Sequence, residues 1–174
     1  MKKVILLLLL CSAFFSYSEQ ANAAVVARPY GTIGGTVVDL PGAQHWNTMR
    51  SGGGLQGLYE ISPDIKFGLD IAYMYSYYYE IVYGYSVEYV NVLALAEYHY
   101  GVAMLQAGLG PYIGTGYNDD SPMGIMLGCG VDLPVTETLS ATMMARFDLV
   151  FNNFYKGDDV TFMPCFMAGL AIKF

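Results

Sequence analysis

Phe166-Met-Ala-Gly-Leu-Ala-Ile-Lys-Phe174 ends the chain with Phe166, Ala168, Leu170, Ile172 and Phe174 at every second position. Successive side chains of a strand point to opposite faces, so these residues share one face. A chain end in water is usually frayed and polar. Here one face stays apolar to the final residue, as a strand facing lipid requires.

The same alternation recurs upstream, with turn signals between the segments. It predicts eight strands. The first covers Tyr30 to Asp39 and the second Gly54 to Ile61, with a loop over 40–53 between them; Ser62-Pro63-Asp64 makes a tight turn. The third, Ile65 to Ser76, sets Ile65, Phe67, Leu69, Ile71, Tyr73 and Tyr75 against Lys66, Gly68, Asp70, Ala72, Met74 and Ser76. A Tyr-rich loop leads to the fourth, which ends near His99, and the fifth starts at Val102. The sixth runs from Met123 to Leu133, the seventh from Leu139 to Phe151, and the terminal strand follows a loop over 152–159. In the fourth strand Tyr85, Val87 and Tyr89 fall in the wrong parity for lipid, which predicts a bulge near Tyr89 to Asn91.

Long connections follow strands one, three, five and seven, and short ones follow two, four and six. All long loops thus share one end. The fold class implied is all-β, an eight-stranded antiparallel transmembrane barrel of up-and-down topology. A water-soluble barrel of the lipocalin kind is apolar inside, the opposite polarity.

Composition agrees. The chain is 55% apolar and 13% charged, yet beyond the N-terminal segment nothing approaches the roughly 20 consecutive apolar residues of a membrane helix. Twenty Gly, sixteen Tyr and nine Phe suit strands, turns and interfacial aromatics. A net charge of −7 argues against nucleic acid as a partner. At the N-terminus Lys2-Lys3, the apolar run Val4 to Leu10 and Ala21-Asn22-Ala23 read as a signal peptide over residues 1–23, leaving 24–174 as one barrel domain. Cys11 follows Leu10, where a lipidation box needs a small residue, and is expected to leave with that peptide. Alternation sets Cys129 outward and Cys165 inward on strands that are not neighbours, so both are expected as free thiols.

The signal peptide, the alternating strands, Gly108-Leu-Gly-Pro-Tyr-Ile-Gly114, the segment Asp132 to Asp148 and the terminal Phe174 together resemble the small outer-membrane barrel superfamily, which includes the OmpA barrel domain, the OmpW family and the opacity-type adhesins. The resemblance implies a bacterial outer-membrane location, with lipid and lipopolysaccharide as surroundings. It also implies a barrel-assembly machinery that reads Phe166, Leu170, Ile172 and Phe174 as an assembly signal. It leaves two roles open: a structural or adhesive protein binding a host or surface ligand through its external loops, and an OmpW-like narrow channel for small or hydrophobic solutes.

An eight-stranded barrel is just wide enough for its own side chains, so a side-chain-filled, polar lumen is expected. Its candidate ion-pair network is Lys66, Asp70, Glu97, Asp132, Arg146 and Asp148, with Gln56, Glu60, His99, Gln106 and Lys173 also inward. Arg146 and Asp148 are adjacent inward positions, with Asp132 expected beside them. Such charges satisfy one another because none can reach lipid; the functional version of the same network is a gate. Tyr73, Tyr75, Tyr77, Tyr78 and Tyr79 form an aromatic girdle or an external contact surface. Catalysis is not expected: His45 sits in a loop beside Trp46, and His99 lies near a turn with no serine placed for a nucleophile pair. No cofactor is called for, and no Cys/His spacing suits a metal. The acidic pairs Asp119-Asp120 and Asp158-Asp159 read as solvated loop tips.

Overall fold

The computed structural model describes residues 24–35, 37–40, 43–45, 48–78, 85–115, 121–151 and 160–174, of which 37–40, 43–45, 48, 77, 78 and 85–87 are described by their backbone alone. The expected signal peptide, Trp46, Tyr79 and both acidic tips lie outside the described residues; so do the side chains of His45, Tyr77 and Tyr78.

Among the described residues ten strand segments follow one another: β1 (Val25–Gly35), β2 (Val37–Leu40), β3 (Ala43–His45), β4 (Thr48–Ser62), β5 (Ile65–Tyr78), β6 (Tyr85–Tyr100), β7 (Ala103–Gly114), β8 (Met123–Pro134), β9 (Leu139–Phe151) and β10 (Val160–Lys173). All pairings are antiparallel, and β1 pairs with both β4 and β10, so β1 and β4 to β10 close an eight-stranded barrel. β2 and β3 form a small hairpin that continues the β1 line against the upper end of β10. Closure pairs each of the eight barrel strands on both sides, as a hydrocarbon environment demands.

Ala24, Phe174 and the short turns share one end, the turn end. The Phe174 amide donates to the Val25 carbonyl at 2.9 Å, and the Glu60 amide to Ala24 at 3.0 Å. Side chains tie the turns down: the Ser62 hydroxyl accepts from the Ile65 amide, and the Thr136 hydroxyl from those of Thr138 and Leu139. Gly101 takes φ +61° in the β6–β7 turn, where a side chain would be strained.

The outward face is the apolar one on strand after strand. Leu55, Phe67, Leu105, Leu109, Leu127, Phe166 and Leu170 are each about half exposed. A belt of this size is far beyond the apolar patches that water-soluble proteins tolerate. Cys129 is exposed on it, Cys165 is buried on the inner side, and both are free.

Three expectations about the strands are corrected. The first strand begins at Val25, not Tyr30. Pro29 does not stop it, because the proline faces outward and the β1–β10 ladder simply skips from Ala27↔Ile172 to Tyr30↔Gly169. The second begins at Thr48, inside the expected loop. Gly52, inside that expected loop, and Gly54, the expected first residue of the strand, both lie tight against their neighbours: a Cβ on Gly52 would meet the Tyr73 carbonyl oxygen and lie 2.6 Å from Met74 Sδ, and one on Gly54 would lie 2.6 Å from the Ile71 carbonyl oxygen and 2.7 Å from the Tyr30 hydroxyl. The bulge expected in the fourth strand is absent. The β5–β6 register runs unbroken from Ile65↔Tyr98 to Tyr78↔Tyr85, and Tyr89 points into the lumen, fully buried. Among the described residues the ladder shifts register instead at Ile61, between Glu60 and Ser62.

The inner wall is less polar than expected. Met74, Met104, Met126, Met144, Met163 and Met167 are all buried there with Leu58, Leu93 and Leu95. Methionine bends to irregular gaps, and inward glycines supply those gaps. A Cβ on Gly128 would run into Met144 Sδ, whereas one on Gly68 would meet the Gly57 carbonyl oxygen of the neighbouring backbone. Gly128→Ala should therefore be nearly neutral, since Met144 can swing away, while Gly68→Ala should cost about 1–3 kcal/mol by forcing two strands apart. Urea unfolding midpoints of the two variants check this; equal midpoints would contradict the packing described.

Candidate functional site

Polar residues inside the barrel gather in two clusters, one above the other. Toward the turn end, Glu97 on β6 is the hub. It receives Arg28 Nη1 at 2.6 Å and Nη2 at 3.1 Å, Gln106 Nε2 at 2.8 Å, and lies 2.6 Å from His99 Nε2. Lys66 Nζ is 3.6 Å from the same carboxylate and 3.1 Å from His99 Nε2. Gln56 accepts from Arg28 at 2.9 Å and exchanges hydrogen bonds with Gln106. Asp132 takes Thr142's hydroxyl at 2.7 Å and stands 3.8 Å from Arg28 Nη2. At the rim below, Lys173 and Glu60 pair at 2.6 Å.

Toward the loop end, Arg146 and Asp148 on β9 meet at 3.0 Å. Arg146 Nη1 reaches across to Asp70 Oδ2 at 2.8 Å and to the Tyr30 hydroxyl at 3.0 Å, and that hydroxyl donates to Asp70 Oδ1 at 2.7 Å. Arg50 Nη2 takes the other oxygen of Asp148 at 2.6 Å, and its guanidinium lies over the Tyr89 ring, 5.5 Å from the centroid. The Tyr89 hydroxyl is 3.4 Å from Met163 Sδ.

Each cluster balances two formal cations against two carboxylates: Arg28 and Lys66 with Glu97 and Asp132, Arg50 and Arg146 with Asp70 and Asp148. Desolvating a charge costs several kcal/mol, so unbalanced charge at this depth would be expensive. The clusters touch along one wall, where Gln56 and Asp70 are direct cross-strand partners. The remaining wall, from β6 to β10, carries most of the buried Leu and Met.

The structure brings Lys66 to Glu97, and Asp70 and Asp148 to Arg146, but it keeps Asp132 away from Arg146. The register pairs Asp132 with Thr142, two inward positions below Arg146, a separation of roughly 13 Å at about 3.3 Å per residue. Arg28, Tyr30 and Arg50 escaped the sequence reading. Their parity is the available signal: Val26, Arg28, Tyr30 and Thr32 alternate on one side of β1, and Arg50 continues the inward series of Gln56 on β4. Tyr73 faces outward, half exposed, with its hydroxyl on Glu88 at 2.8 Å; Tyr75 shares that parity. Phe166, Leu170, Ile172 and Phe174 all lie on the outer face of the barrel or at its rim.

Among the described residues no group of His, Cys, Asp and Glu is arranged to hold a metal ion. What the arrangement provides is a pair of charge-balanced clusters, each hydrogen-bonded within itself, beside a methionine-rich wall.

No protein-family model and no curated protein sequence matches the chain. Solved structures do. Neisserial surface protein A is similar at TM-score 0.65 and 15% identity, over 87% of this chain and 99% of that one. The outer membrane protein OprG from Pseudomonas aeruginosa gives 0.56 and 15%, over 87% and 96%. Ail, the attachment invasion locus protein of Yersinia pestis, solved with the heparin analogue sucrose octasulfate, gives 0.51 and 16%, over 87% and 99%. The fold is that of the small bacterial outer-membrane β-barrels, and the lipid-ready outer belt fits that membrane.

Proposed function

We propose that residues 24–174 form a single outer-membrane barrel domain, exported by a cleaved signal over residues 1–23, that acts as a closed scaffold for its external loops. Its role is structural or surface-interactive, with no catalytic step. The observation that supports this reading is the burial inside the barrel of two charge-balanced clusters, with Arg28, Arg50, Arg146, Asp70 and Asp148 fully buried, in a lumen of eight strands that is just wide enough for its own side chains. Loops at the end away from the termini are then the part left to meet a partner. Ail takes a sulfated heparin analogue; a chain of net charge −7 is poorly suited to a polyanion, so a neutral or cationic surface ligand fits better here.

A narrow conduit is the second reading, favoured by lumen polar atoms that lack a protein partner. Planar-bilayer recording of the mature chain, refolded in detergent, separates the two. The scaffold reading expects a silent but heat-modifiable barrel; discrete steps altered by Arg146→Ala would replace it with the conduit.

The terminal residues are assigned to assembly. Phe174 is three-quarters exposed at the rim, so its loss removes little packing. Phe174→Ser should lower the amount of barrel reaching the outer membrane several-fold while leaving detergent refolding intact. Normal membrane levels, measured by fractionation, would contradict the assignment.

A further inference from the structure

Three prolines lie inside described strands, Pro29 in β1, Pro111 in β7 and Pro164 in β10; Pro134 ends β8. A proline brings no amide to a ladder, so sheets confine it to edge strands, with the missing donor on the free side. Antiparallel neighbours exchange amide bonds at every second pair. The Phe174 amide donates to Val25, and stepping by two in that register puts Pro29 opposite Leu170 and Pro164 opposite Gly35 at bonded positions of β1 and β10. The Thr115 amide donates to Glu88, and the same steps put Pro111 opposite Val92 at a bonded position of β6 and β7.

Each proline therefore deletes a hydrogen bond, and the two ladders break where it does. The β1–β10 ladder skips from Ala27↔Ile172 to Tyr30↔Gly169 and stops at Gly34↔Cys165; the β6–β7 ladder skips from Asn91↔Tyr112 to Ala94↔Leu109. Among the described residues the other six barrel ladders have no such gap, and only β4–β5 shifts, beside its turn. In ring order the two broken seams are opposite one another. They divide the wall into β1, β4, β5 and β6 on one side and β7, β8, β9 and β10 on the other, with every proline on an edge strand of its half.

The lumen contacts divide along the same line. Arg146 on β9 holds Asp70 on β5 at 2.8 Å, and Arg50 on β4 holds Asp148 on β9 at 2.6 Å, so both loop-end ion pairs between strands span the halves. At the turn end the shortest buried pair, Arg28 with Glu97 at 2.6 Å, stays within one half. There the halves are joined by Gln106, by Asp132 at 3.8 Å from Arg28, and by the rim pair of Lys173 and Glu60.

We infer that the barrel opens and closes as two four-stranded half-shells that part along these opposed seams, latched at the loop end by Arg146 with Asp70 and Arg50 with Asp148. Parting there sacrifices fewer hydrogen bonds than parting an unbroken ladder of the same length, and each half keeps its own ladders whole. This motion does not depend on what the external loops bind, and its failure would leave the conductance result expected of the scaffold untouched.

The test is amide hydrogen exchange of the refolded mature chain in lipid nanodiscs, read residue by residue by NMR. Gly31, Ala168, Ala94 and Leu109 donate across the seams; Leu69, Ile71, Leu127 and Phe147 share their outward parity but donate within a half. Expected is exchange about tenfold or more faster at both seams than at these controls, the mark of a sub-global opening. Asp70→Asn releases one latch pair and should speed both seams together while the controls stay put; if it fails to fold, Arg50→Gln releases the other. Pro111→Ala restores the amide that faces Val92 and should slow exchange at β1–β10 as well as at β6–β7, because the halves part along both. Equal rates at seams and controls, or a Pro111→Ala effect confined to β6–β7, would overturn the half-shells. A rise spread over every ladder in the latch variant would mean unfolding of the whole barrel, and would overturn them too.

Discussion

Arg146→Ala is expected to destabilise the barrel by about 3–5 kcal/mol, the range for removing one partner from a buried ion network. The substitution deletes three contacts at once, to Asp148, Asp70 and Tyr30. Asp148 keeps Arg50, but Asp70 keeps only the Tyr30 hydroxyl and stays a buried carboxylate with no cation. The loop-end cluster then carries one cation against two anions. Much of the loss therefore belongs to the stranded charge, not to the missing side chain, and that has a check of its own: adding Asp70→Asn should recover part of the stability. Equilibrium unfolding of wild type, single and double variants in lipid vesicles measures both effects. An unchanged midpoint for Arg146→Ala, or a double variant weaker than the single by the full cost of a second lesion, would show that the network does not hold the barrel together.

How far the sequence reached follows from the range of the interactions. The outward face was legible because lipid imposes the same rule on every strand: Ile65, Phe67 and Leu69, or Phe166 and Leu170, announce themselves by alternation alone. Turns were legible because Ser62-Pro63-Asp64 and Tyr100-Gly101 carry local chemistry. Inside the barrel no uniform rule applies. A lumen position can hold Arg, Tyr, Met or Gly, since what it needs depends on what arrives from the opposite wall. Arg146 meets Asp70 across 76 positions of sequence and Arg50 meets Asp148 across 98, and such partners are chosen by the stagger of the closed barrel. Stagger is not written in a single strand, and so alternation alone sets Asp132 beside Arg146 although its register delivers it to Thr142 and Arg28.

Tyr89 makes the same point from the opposite direction. Treated as a lipid-facing aromatic, it demands a bulge to correct its parity. As a lumen residue it needs none: it is the platform for Arg50, with its ring beside Tyr112. Lipid-facing aromatics and lumen aromatics have identical composition, and only the register of β5 against β6 tells them apart. Arg28 and Arg50 are hidden by neighbours with the wrong local meaning. Pro29 stands just before the expected start of the first strand and Gly52-Gly53 at the end of the expected loop, whereas the proline sits at a skipped rung and Gly52 and Gly54 make room for Met74 and Tyr30.

Glu97→Gln should be the other costly change, at about 3–5 kcal/mol, for a reason that mirrors Arg146. Glu97 is the carboxylate on which Arg28, Lys66, His99 and Gln106 all converge. A glutamine has the same size and one acceptor oxygen, so packing survives while the charge goes. Arg28 is then fully buried with Gln56 and, at 3.8 Å, Asp132 as its remaining partners, and Lys66 loses its nearest carboxylate. The turn-end cluster becomes two cations against one anion. Because the two clusters are separately balanced, Glu97→Gln and Arg146→Ala should add when combined, to within about 0.5 kcal/mol. Coupling well beyond that would instead mean that the contact between Gln56 and Asp70 welds the clusters into one network, in which a charge removed at the turn end is felt at the loop end. The double-variant cycle, read from the same unfolding midpoints, distinguishes a lumen with two independent plugs from a lumen with one continuous bolt.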